Sequence, residues 1–165
     1  MYLFRMMAAA VIVFIMQTTF VHRINIAGAA PDLVLVLLAV LVLDRKPLLA
    51  VIIGFSLGFL QDLGNASYLG MNALAKSLLG YGISRFASGY FPDSALFRGL
   101  LLFLAALASD IVVLNITASF NPGDVLLSFF RYSLLSALYT AVAGILVFGV
   151  LGLLPGRVVR PRGGY

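Results

Sequence analysis

Residues 31–62 read PDLVLVLLAVLVLDRKPLLAVIIGFSLGFLQD, two apolar runs parted by Asp44-Arg45-Lys46-Pro47. A membrane barrel strand alternates apolar and polar residues over about ten positions. These runs are continuously apolar instead, the pattern of helices surrounded by lipid or by other helices. Pro31 and Pro47 each open a run, in the first helical turn, where a missing N–H costs least. Three charges and a proline between them forbid one helix through both. The runs hold 13 and 14 residues, so each is about 20 Å long at the α-helical rise. A full crossing normally takes about 20 residues. The pair is therefore either a short helical hairpin shielded by the rest of a bundle or a segment that dips in without crossing.

The same continuous character extends outward in both directions. The chain has 165 residues, 62% hydrophobic and 10% charged, with a mean hydropathy of +1.10. Soluble domains are about 45–50% apolar and about 25% charged. A water-soluble enzyme, a disordered tail and a nucleic-acid module are thereby excluded. An all-α integral membrane protein remains, with helices expected over 3–21, 31–43, 47–60, 70–86, 95–117 and 125–154. Residues 1–154 form one membrane domain and 155–165 a basic tail. The apolar N-terminal run leads into further apolar segments and does not read as a cleaved signal peptide. Without cysteine or glutamate, and with His22 as the sole histidine, neither a metal site nor a cofactor is expected.

Charge placement orients the bundle. With the N-terminus inside and alternating crossings, the inner side receives Arg5, Arg45, Lys46, Arg85, Arg98, Arg157, Arg160 and Arg162, while the outer loops receive Arg23. That bias follows the positive-inside rule. Five spans, with the short pair failing to cross, would send the 157–162 cluster outside. The expectation is six crossings with both termini cytoplasmic and outer loops over 22–30, 61–69 and 118–124.

Small residues mark where helices can approach closely in lipid. Ala50, Gly54 and Gly58 repeat at spacing four in the third helix, Gly80 and Ser84 in the fourth, and Ser136, Thr140 and Gly144 in the sixth. Such ridges serve internal packing or dock a partner helix, and Gly54/Gly58 and Ala8 are candidates for docking. Gly54-Phe55-Ser56-Leu57-Gly58 also spells G-x-S-x-G, but a nucleophile elbow needs a strand-to-helix turn with a histidine and an acid at hand. An apolar helix supplies neither.

Ionisable groups inside spans are costly and functional by default. Lys76 and Arg131 each fall about 9 Å below the outer ends of their helices, and Asp110 about 10 Å below its own. Asp62 closes the third helix, where the dipole disfavours an anion. Lys76 and Arg131 lean outward and can snorkel; Asp110 leans inward and needs a partner, a proton or a wet cavity. The expectation is an intramembrane polar cluster in which Asp62 and Asp110 pair with Lys76 and Arg131, joined by Asn72, Tyr68, Asn115 and Gln61. No catalytic carboxylate pair or proton relay emerges, so an enzyme is not expected.

Pro31-Asp32-Leu33, a basic loop, Gly54-Phe55 and Gly58, Asp62-Leu63, Leu69-Gly70-Met71-Asn72-Ala73-Leu74 and Gly80-Tyr81, in that order, resemble the rod shape-determining MreD family. The resemblance is best over 31–82. It implies a non-catalytic inner-membrane scaffold of the bacterial elongation machinery that binds MreC directly and acts with MreB and the peptidoglycan synthase complex. It also implies a six-helix fold similar to the substrate-binding subunits of energy-coupling-factor transporters. A vitamin-binding transporter subunit is the alternative, and would call for an aromatic-rich outer pocket. The chain has no tryptophan.

Overall fold

A computed structural model describes residues 2–19, 29–43, 45–64, 69–87, 94–117 and 122–153. Among them every regular element is helical: α1 (Tyr2–Thr19), α2 (Leu33–Val42), α3 (Pro47–Asp62), α4 (Met71–Ala87), α5 (Ala95–Thr117), α6 (Pro122–Ser128) and α7 (Leu134–Leu153), with a π-helical turn (Phe129–Ser133) joining the last two. By length and composition, two of the described helices can cross a bilayer unaided, Leu96–Thr117 and Leu126–Val150. Their outward faces are apolar, with Leu100, Leu104, Leu138 and Leu146 exposed, a surface suited to lipid rather than water.

A short helix is the hub. α2 has ten residues, LVLVLLAVLV, about 15 Å of helix. It packs against α1, α3, α4, α5 and α7. Val34, Leu35, Val36, Leu38, Ala39 and Val42 are buried, and Leu37, Val40 and Leu41 on the other side are partly buried against the same core, which is why its sequence is apolar all round. Leu102, Ala106, Ala137 and Phe148 close the core around it. Helix formation starts at Leu33, not at Pro31, because the Asp32 side chain caps the helix by accepting from the Leu35 N–H at 2.9 Å. An Asp at this position satisfies an otherwise open amide.

α3 and α4 form an antiparallel pair with a close backbone approach. A Cβ on Gly54 would strike the Lys76 carbonyl, one on Gly58 the Asn72 carbonyl, and one on Gly80 the Ala50 carbonyl. Only glycine permits this spacing. Ser84 ties the far end by donating to the Arg45 carbonyl. The residues Ala50, Gly54, Gly58, Gly80 and Ser84 thus all lie in one internal seam, and the face they form is covered by the chain itself. In the second tight pair, α5 and α7, Gly144 lies against Leu102 and Gly99 against Ile145. Ser56 is exposed on α3 and donates to the Ile52 carbonyl, with no elbow beneath it.

Candidate functional site

The polar residues gather where the chain enters α2. Residues 29–32 precede the helix, and the Asp32 carbonyl already accepts the Val36 N–H of its first turn. Irregular backbone at membrane depth is tolerated only where protein satisfies it, and two helices do so. From α1, Gln17 donates Nε2 to the Pro31 carbonyl (3.1 Å) and accepts the Leu33 N–H on Oε1 (2.8 Å). From α7, Ser136 donates to the Ala30 carbonyl (2.6 Å), and Thr140 accepts the Asp32 N–H (2.9 Å) while donating to the Ser136 carbonyl. The Ser136/Thr140 stripe is therefore a hydrogen-bonding clamp as well as a small-residue face.

From α4, Lys76 completes the clamp. Its ammonium lies 2.9 Å from Asp32 Oδ2, and its side chain is 0% exposed against 23% for Asp32. A fully buried ammonium is sustainable only when paired. Asp32 thus holds α2 by its own cap and holds α4 by charge. Asp110, on α5, is part-buried, with the Ser133 hydroxyl in hydrogen-bonding reach and the Asp32 and Lys76 charges near enough to act on it. Asp32, Lys76 and Asp110 are thereby brought together.

Asp62 and Arg131 lie apart from them. Asp62, at the end of α3, pairs with no cation among the described residues. Its carboxylate accepts from the Gly70, Asn72 and Ala73 backbone N–H groups and from Asn72 Nδ2, at 2.9–3.1 Å. The antiparallel turn has carried the N-terminus of α4 beside it, so the open amides and positive dipole end of that helix supply what a lysine or arginine was expected to supply. Gly70 makes the approach feasible with φ +93°, a conformation that favours glycine. Arg131 is exposed, with its guanidinium 5.4 Å from the Tyr132 ring, and does not reach Asp110. Asn115 donates back to the Ile111 carbonyl of its own helix, and the Gln61 backbone carbonyl accepts the Gly64 N–H. Tyr68 falls outside the described residues.

Sequence reasoning passed over two of the central groups. Asp32 was visible as part of the Pro31-Asp32 motif, at the outer end of the second run and so level with the outer end of the Lys76 helix. Gln17 was visible as an amide beside Thr18 and Thr19 at the outer end of the first run. Depth alone could have nominated both.

The family model for rod shape-determining protein MreD matches residues 1–156. The chain belongs to the MreD family. Neither a curated protein nor a solved structure matches it, so the likeness to energy-coupling-factor subunits has no counterpart among solved structures. Membership places the chain in rod-shape determination, in a family of membrane proteins not known as enzymes. The transporter alternative finds no support in these observations. In this chain Gln17, Asp32, Lys76, Ser136 and Thr140 bind one another and the backbone, so their polar atoms are occupied within the fold.

Proposed function

We propose that the chain is a non-catalytic, multi-pass scaffold of the bacterial inner membrane. It binds MreC directly and supports rod shape and peptidoglycan synthesis together with MreB and the synthase complex. It crosses the membrane six times with both termini cytoplasmic, residues 1–154 forming the membrane domain and 155–165 the basic tail. The observation that carries this reading is the self-satisfied clamp around α2: the buried polar groups fasten helices to one another. A molecule whose polar core is spent on rigidity works through its surface, and the small-residue seam of α3 and α4 is internal. Partner helices then meet the exposed apolar faces.

Co-purification from membranes with tagged MreC, followed by crosslink mapping, tests this. MreC is expected to be retained, with crosslinks on exposed positions such as Phe55, Phe59 or Leu78 and none at Ala50 or Gly80. Failure of MreC to co-purify under conditions that keep the chain folded would overturn the scaffold reading.

A further inference from the structure

The π-helical turn at Phe129–Ser133 changes what its neighbours can do. A π turn is wider than an α turn and is often found at functional sites. Here it leaves Phe130, Arg131 and Tyr132 all exposed in succession while Ser133 is buried toward Asp110. Gly123, Leu126, Leu127 and Phe130 line an open groove of about 390 Å³, and Arg131 is its charged member. The groove lies at one end of the apolar stretch Leu126–Val150.

Two observations set the depth of the guanidinium. Arg131 is five residues inside that stretch, about 7.5 Å along the helix axis. Its side chain leans toward the N-terminal end, a distance a snorkelling arginine recovers. Tyr132, whose ring lies beside the guanidinium, is a residue type concentrated at the membrane interface. The charge therefore sits at headgroup level, between apolar walls. A cation facing lipid is costly unless neutralised, and among the described side chains no carboxylate pairs with Arg131. An arginine of this kind binds phosphate through two parallel N–H donors.

We propose that this groove is a seat for an anionic phospholipid, with the phosphate on Arg131 and the acyl chains along Leu126, Leu127 and Phe130. The occupant follows from charge complementarity: an apolar groove open to the bilayer with one guanidinium fits an amphiphile carrying a negative headgroup.

The test uses the full chain in phosphatidylcholine vesicles containing trace spin-labelled phosphatidylglycerol or spin-labelled phosphatidylcholine, reading the motionally restricted fraction. Wild type is expected to prefer phosphatidylglycerol about fivefold, the factor for one arginine near an anionic headgroup. Arg131→Gln should bring the ratio close to one, while Arg131→Lys retains much of it. Leu127→Trp, which fills the groove and keeps the charge, should also lower it, so the idea stays testable if one variant folds poorly. Absence of preference in wild type, or its persistence in Arg131→Gln, overturns the proposal. Displacement by millimolar inorganic phosphate would assign a soluble-anion site and overturn it as well. So would unchanged lipid selectivity accompanied by loss of a co-purified partner protein from Arg131→Gln, which would assign an acidic partner residue.

Discussion

Lys76 has no route to water, so its charge binds the fold to whatever neutralises it. Removing one member of a buried ion pair strands the other and costs about 3 kcal/mol or more, whereas replacing both with apolar residues of similar size is often nearly neutral. Lys76→Met is therefore expected to destabilise the chain by about that amount, and Lys76→Met combined with Asp32→Leu by distinctly less. Unfolding in detergent micelles, followed as a double-mutant cycle, measures the coupling. Additive losses would show that the 2.9 Å contact contributes nothing. The sequence made the need for a partner legible, because an ammonium inside an apolar run demands one. It did not reveal the partner, since helix neighbours are a property of packing. Asp62 makes the same point from the other side. The unfavourable dipole at the end of α3 was readable. The amides that resolve it became available only once α4 folded back alongside.

At the scale of elements, backbone approach separates glycines that look alike in the sequence. Gly58 and Gly82 both lie within helices, but a Cβ on Gly58 would lie within 2.6 Å of Ala73 Cα, whereas one on Gly82 meets nothing within 4 Å. Neither α3 nor α4 can yield locally, because the obstruction is backbone. Gly58→Ala is expected to cost about 1–3 kcal/mol, as overpacking does. Gly82→Ala should be neutral or stabilise by up to about 1 kcal/mol through helix propensity. Thermal unfolding of the two variants side by side gives the sign. Equal effects would remove the basis for a tight α3–α4 seam. The spacing-four pattern of Ala50, Gly54 and Gly58 did announce a contact face in advance. Whether that face met a partner or the chain's own fourth helix depended on the antiparallel register, which sets Gly54 opposite Lys76 and Gly80 opposite Ala50. The π turn was not legible at all: Phe129-Phe130-Arg131-Tyr132-Ser133 carries no proline or glycine to mark a widened turn. Within it Arg131 is exposed while Ser133 is the residue that meets Asp110.

For the whole molecule, the question is how a ten-residue helix takes part in a membrane fold. The apolar arithmetic and the basic bias of the loops were readable from composition and order. The length of α2 argued against a crossing by the usual rule. The clamp supplies the missing reason. Both ends of α2 are embedded in protein, with Gln17, Ser136 and Thr140 satisfying the backbone before it and Ser84 bonding the Arg45 carbonyl after it. The chain can therefore pass through the membrane with irregular backbone on either side of a short helix. The proposed topology places the turn between α2 and α3 in the cytoplasm. A re-entrant pair would leave the same turn on the outer side. The chain contains no cysteine, so a single introduced thiol reports its own location. Lys46 and Ser94 are exposed between helices, as is Gly64 at the opposite end of α3. With an impermeant maleimide, Gly64→Cys should label in intact spheroplasts, while Lys46→Cys and Ser94→Cys should label only after permeabilisation. Labelling of Lys46→Cys in intact spheroplasts would mean that α2 and α3 do not cross, leaving the buried clamp as the anchor of a re-entrant hairpin.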